Sequence, residues 1–142
     1  MSMLLSALMF VLLLAVALAH LVWATGGAWP IREKSMLASV VIGRPGVTEV
    51  PRLPALGVSM AALIASIIAA ALGDHDAGGV LLNAVGVLLG ALFLARGAIG
   101  YTKGWRTRYS AEPFATLDRR NYSPLCLFLG AGHLLLVIMR LI

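Results

Sequence analysis

Between consecutive charged residues the chain leaves four long uncharged stretches, at positions 1–31, 53–73, 77–95 and 121–139. Each is long enough for a helix of about 20 residues, the length that crosses a hydrocarbon core of about 30 Å. Within them, runs such as LIASIIAAAL and LLNAVGVLLGALFLA show no polar stripe recurring every third or fourth position. A helix of a soluble bundle needs that stripe on its wet face, so these segments predict helices surrounded by lipid. The expected fold is all-α: a polytopic membrane protein forming one four-transmembrane-helix bundle over residues 1–142. Its helices should lie at about 3–24, 54–73, 78–99 and 123–141, with two long cytoplasmic loops.

Composition supports this reading, because 61% of the residues are hydrophobic, only 12% are charged, and mean hydropathy is +0.96. That profile excludes disordered and ordinary water-soluble classes. Ala17 and Ala19 ahead of His20 imitate a signal-peptide cleavage pattern. The cationic segment that should precede such a site is missing, so the first stretch is read as a spanning helix.

Local punctuation refines the layout. Pro54 suits the first turn of the second helix, Gly73 its close, and Asp76 the positive end of the third. The short GDHDAGG connection predicts a tight turn, with the second and third helices as antiparallel neighbours. Ser123 and Pro124 read as the N-cap and first residue of the fourth helix. Asn83, Gly86, Gly90 and Gly97 share one face of the third helix, which favours a packing seam inside the bundle over a dimer face.

Charge sets the orientation. Arg32, Lys34, Arg44 and Arg52 lie in the first connection, and Arg96, Lys103, Arg106, Arg108, Arg119 and Arg120 lie in or beside the third, whereas the second has none. Both long connections are therefore expected on the cytoplasmic side and both termini on the other. The pI of about 10.2 is explained by a basic belt beside an anionic leaflet, making membrane lipids the expected partners. Nucleic acid is not expected, since there is no basic helix with interleaved aromatics and no zinc-finger spacing. Cys126 is the single cysteine, which rules out an intrachain disulfide.

The residue types able to do chemistry converge on the same side. His20 and Trp23 are one helical turn apart and are followed by Gly26, Gly27, Trp29 and Pro30. The string LDRRNYSPLC supplies Asp118, Arg119, Tyr122 and Cys126, and Tyr122, Cys126, Gly130 and His133 share a helix face. Arg96 either snorkels to the interface or turns inward, toward Asp118 or an anionic ligand group. The candidate ligand-binding residues are thus His20, Trp23, Trp29, Arg96, Asp118, Arg119, Tyr122 and Cys126, with Asn83 and His133 secondary. Each has a plainer role: the tryptophans as interface anchors, and His133 as a neutral imidazole held by a neighbouring helix through Asn83. His20 and His133 start from one surface at depths differing by about 7 Å or more, which argues against paired axial ligation. No metal site or cofactor is expected. There is no Walker loop, HExxH or GxSxG, so whether the chain is an enzyme stays open.

The segments HLVWATGGAWP, VVIGRPGVTEVP, LARGAIGY and SAEPFATLDRRNYSPLCLFLGAGH, in that order, resemble an uncharacterised family of small bacterial four-helix integral membrane proteins, domain of unknown function family 3995. The resemblance runs from about His20 to His133 and rests on His20, Trp23, Gly26, Gly27, Trp29, Pro30, Gly43, Pro51, Arg96, Gly97, Phe114, Asp118, Tyr122, Ser123, Pro124 and Cys126. At His133 relatives are expected to carry a large apolar residue, which is a departure. The resemblance implies a bacterial inner-membrane protein and brings no activity with it.

The leading expectation is a small amphiphilic or anionic ligand bound at a polar cap that the two long loops form at the cytoplasmic face. The alternative is a structural or accessory subunit whose GVLLG face docks a partner helix. A small transporter or channel comes third, and would require a homo-oligomer, since one copy offers little polar lining.

Overall fold

The computed structural model describes residues 1–76 and 78–142, so Ala77 of the GDHDAGG connection lies outside the described residues. The chain forms α1 (Ser2–Ala24), α2 (Lys34–Val41), α3 (Arg52–Gly73), α4 (Gly79–Ile99), α5 (Lys103–Arg108), α6 (Phe114–Leu117) and α7 (Ser123–Leu141). A π-helical turn, Asp118–Tyr122, joins α6 to α7. Among the described residues there is no strand. Among the described residues four helices are long and apolar enough to cross a membrane: α1, α3, α4 and the continuous run Phe114–Leu141. Their outward faces carry large apolar side chains such as Leu4, Ile64, Leu88, Leu92 and Ile138, as a lipid-facing surface would.

The long helices associate chiefly as two pairs, α1 with α3 and α4 with α7. In lipid there is no hydrophobic drive between apolar helices, so close packing and hydrogen bonds must hold them together. α3 supplies a buried stripe of small residues, including Ala55, Ser59, Ala62, Ala65, Ser66 and Ala69, and the Ser59 hydroxyl donates to the Ala17 carbonyl of α1 at 2.8 Å. In the other pair a Cβ on Gly90 would approach the Gly130 carbonyl to 3.2 Å, and one on Gly130 would approach the Gly90 carbonyl to 2.8 Å. The seam face of α4 is thus filled from within the chain: Gly86 meets Val137 and Leu72, and Gly97 meets Leu127. Met9, Leu13, Leu72 and Leu136 occupy the centre, with fully buried His133 beside them.

The short turn joins α3 to α4 and the two are neighbours as expected, with Leu72 against Gly86, although the more extensive partner of α4 is α7. One local expectation needs correction. Ser123 is not an N-cap: it has helical dihedrals (φ −65°, ψ −46°) and continues a helix that begins at Phe114. Pro124 lacks an N–H and would clash with a regular α-helical turn before it, and the wider π turn accommodates it.

At the turn end Arg140 fastens the two pairs. Its Nε donates to Asn83 Oδ1 at 2.9 Å, and Nη1 reaches the carbonyls of Ala71 and Asp74 at the end of α3. These carbonyls lie at the helix end, where acceptors run short of intrahelical donors; the Ala71 carbonyl also accepts from the Asp74 N–H at 3.1 Å. Asn83 is therefore the partner of Arg140, not of His133.

Candidate functional site

The long connections meet at the opposite end, which we call the loop end. Asp118 opens the π turn and is 2% exposed. Its Oδ1 accepts from Arg96 Nη2 at 2.7 Å, and its Oδ2 accepts from Trp105 Nε1 at 2.9 Å. The Arg96 guanidinium also lies 4.4 Å from the centre of the Trp105 ring. Arg96 thus turns inward. A carboxylate and an aromatic face together fix its plane, a geometry that lysine cannot reproduce.

Trp105 is absent from the candidates read in the sequence. The available signal was its position among Lys103, Arg106 and Arg108, where a tryptophan serves either as an interface anchor or as a platform for a guanidinium. α5 presents it, capped by Thr102, whose hydroxyl accepts from the Trp105 backbone N–H.

Tyr122 ties the first connection to the third by donating its hydroxyl to the Val40 carbonyl of α2 at 3.1 Å. Gly43 continues the seam. At φ +67° it sits in a region open mainly to glycine, its carbonyl accepts from the Ala111 N–H at 3.1 Å, and a Cβ there would enter the Phe114 ring. Trp105, Tyr109, Phe114 and Tyr122 follow one another as ring contacts, with successive centroids 4.2, 6.2 and 5.8 Å apart. Arg44 reaches the Tyr109 hydroxyl at 3.4 Å.

The π turn has its own support. Ser123 N–H donates to the Asp118 carbonyl in the π pattern, in which each N–H reaches five residues back. The next donor in that register would be Pro124, which has none, and Tyr101 substitutes by donating its hydroxyl to the Arg119 carbonyl at 3.1 Å. The Arg119 side chain itself is exposed.

Beneath this cap are two polar atoms, Arg96 Nη1 and Ser123 Oγ, both buried and both without a hydrogen bond. They flank Gly100: a Cβ there would come within 1.9 Å of Ser123 Oγ and 3.1 Å of Arg96 Nη1. Cys126, a free and half-buried thiol, follows on the same helix.

His20, Trp23 and Trp29 form a separate group on α1 and the segment after it. His20 Nδ1 donates to the Val16 carbonyl at 2.8 Å, its ring centre is 4.5 Å from that of Trp23, and Trp23 Nε1 donates to the Trp29 carbonyl at 2.8 Å. Among the described residues no hydrogen bond, ion pair or ring contact joins these three to Asp118, Tyr122 or Arg96. His133 belongs to neither group. It is in the bundle core, stacked on Phe93 at 5.6 Å, with Nδ1 donating to the Leu129 carbonyl and Nε2 buried without a hydrogen bond. Among the described residues no three of His, Cys, Asp and Glu come together as a metal site requires.

Residues 13–133 match the model of a family described as a protein of unknown function (DUF3995). No curated protein and no solved structure matches the chain.

Proposed function

The chain belongs to the DUF3995 family of proteins of unknown function, and from that starting point we propose that it is a bacterial inner-membrane protein. In this reading it binds a small amphiphile through a headgroup oxygen, at a cap on the cytoplasmic face. The observation that carries it is the pair of buried, unpartnered atoms around Gly100, Arg96 Nη1 and Ser123 Oγ. Leaving such a group unpaired costs about 1–3 kcal/mol, and an oxygen accepting from both would offset that cost. Arg96 and Asp118 balance in charge, so the niche suits a polar acceptor such as an ester, carboxylate or phosphate oxygen at the interface.

In this reading Asp118 and Trp105 are positioning residues. Both carboxylate oxygens are already engaged by protein donors, so Asp118 acts by aiming Arg96. Tyr122 acts by holding the first connection over the cap. The GVLLG glycines Gly86 and Gly90 are covered by Leu72, Val137 and Leu134, so an accessory subunit would have to dock through another face.

Native mass spectrometry of gently solubilised protein tests the proposal. The expected result is one stoichiometric amphiphile per chain, retained by wild type and lost from Arg96→Lys and Ser123→Ala variants that still fold. A bare wild-type protein, or one carrying only bulk lipid, would overturn it.

A further inference from the structure

A second feature of the loop end lies on the α1 side. Gly26 has φ +92°, and the Arg52 guanidinium is held directly over it: a Cβ at position 26 would come within 3.0 Å of Arg52 Nη2. Around this contact Trp23, Lys34 and Glu49 are among the residues lining a cavity of about 20 Å³. A space of that size admits one water-sized atom. Among the described residues the Arg52 guanidinium makes no hydrogen bond or ion pair. Lys34 is paired with Glu49, at 3.7 Å, and the two side chains are 49% and 69% exposed.

We propose that this notch binds a phosphate group. One phosphoryl oxygen enters the cavity above Gly26, while the Arg52 fork and Lys34 Nζ hold the oxygens outside it. Guanidinium geometry matches phosphate in a two-point contact. The competing Lys34–Glu49 pair offers little resistance, since an exposed pair of this kind is worth about 0–1 kcal/mol. α3 begins at Arg52 with no acidic residue in its first turn, so the field of its positive end adds to that of the two cations. Trp23 and the 68% exposed Trp29 are the residue type that favours headgroup depth, the level at which lipid phosphates lie. The notch shares no side chain with the Arg96–Ser123 niche.

Calorimetric titration of the intact protein in a neutral maltoside detergent, with three probes, tests this. Dihexanoyl phosphatidic acid should bind, and dihexanoyl phosphatidylcholine should bind at least about tenfold more weakly, the equivalent of one lost charge-assisted hydrogen bond. Inorganic phosphate separates the sources: saturable binding assigns the notch to free phosphate as well, and failure to bind beside a binding phosphatidic acid assigns it to lipid. Arg52→Gln and Lys34→Gln, both exposed substitutions, should each weaken phosphatidic acid about tenfold, whereas Lys103→Gln should not; Ser123→Ala reports on the Arg96 niche. Three results would overturn the proposal: no binding of either anionic probe, equal binding by wild type and Arg52→Gln, or a loss confined to Ser123→Ala. The last would instead move the bound amphiphile to the Arg96 niche.

Discussion

A carboxylate that accepts from a guanidinium and an indole while 2% exposed cannot be exchanged for an amide without loss. In Asp118→Asn one oxygen is replaced by an NH2 group, which must face either Arg96 or the Trp105 N–H, donor against donor. Arg96 also loses its counter-charge. Its side chain is 33% exposed, so water screens part of the deficit, and the expected destabilisation is about 1–3 kcal/mol rather than the 3–5 kcal/mol of a wholly buried pair. Unfolding of the purified protein in detergent, followed by circular dichroism and tryptophan emission, would measure it; a shift within experimental error would mean that the pair contributes nothing net. Arg96 and Asp118 were legible in the sequence because a charge at the edge of an apolar run needs an explanation. Trp105 was not, since its reach back to Asp118 depends on the path of the chain between α5 and α6, which no local pattern encodes.

At the scale of elements, the π turn is where sequence and structure part most clearly. Ser-Pro is a strong local signal for a helix start, and a local reading therefore begins the last helix at Ser123. The structure instead starts it at Phe114 and passes through Pro124, because Tyr101, from the end of α4, supplies the donor that proline lacks. A tertiary donor is invisible to a rule that looks only at neighbours. This account predicts coupling between the two residues. Tyr101→Phe should destabilise the wild type by about 0.5–1.5 kcal/mol. In a Pro124→Ala background the same substitution should cost measurably less, because residue 124 then brings its own N–H to the vacant carbonyl. A double-mutant cycle on unfolding free energies isolates that term, and strict additivity would contradict the substitution of one donor for the other.

For the whole molecule, the spans were legible because a charge-free run of that length has few alternatives, whereas the pairing of helices was not. Pairing is set by where small residues let backbones meet, as Gly90 and Gly130 do, and connection length does not report it. Orientation rests on a similar whole-chain asymmetry. Every Lys and Arg except Arg140 lies in or beside the two long connections, which argues for a cytoplasmic loop end. Arg140 stands at the other end, but its guanidinium is bound to the carbonyls of Ala71 and Asp74, at the negative end of the α3 dipole. It is a structural clamp on that end and carries little weight against the loop-end excess. His75 is the test position: it is exposed in the short turn, and its ring Nε2 is hydrogen-bonded with Ser2 Oγ at 3.2 Å. With Cys126→Ser removing the native thiol, His75→Cys expressed in bacteria should react with a membrane-impermeant thiol reagent added to intact cells. Labelling that appears only after lysis would invert the molecule, placing the Arg52 notch and the Arg96 niche on the outer face and removing the anionic cytoplasmic leaflet as the source of their ligands.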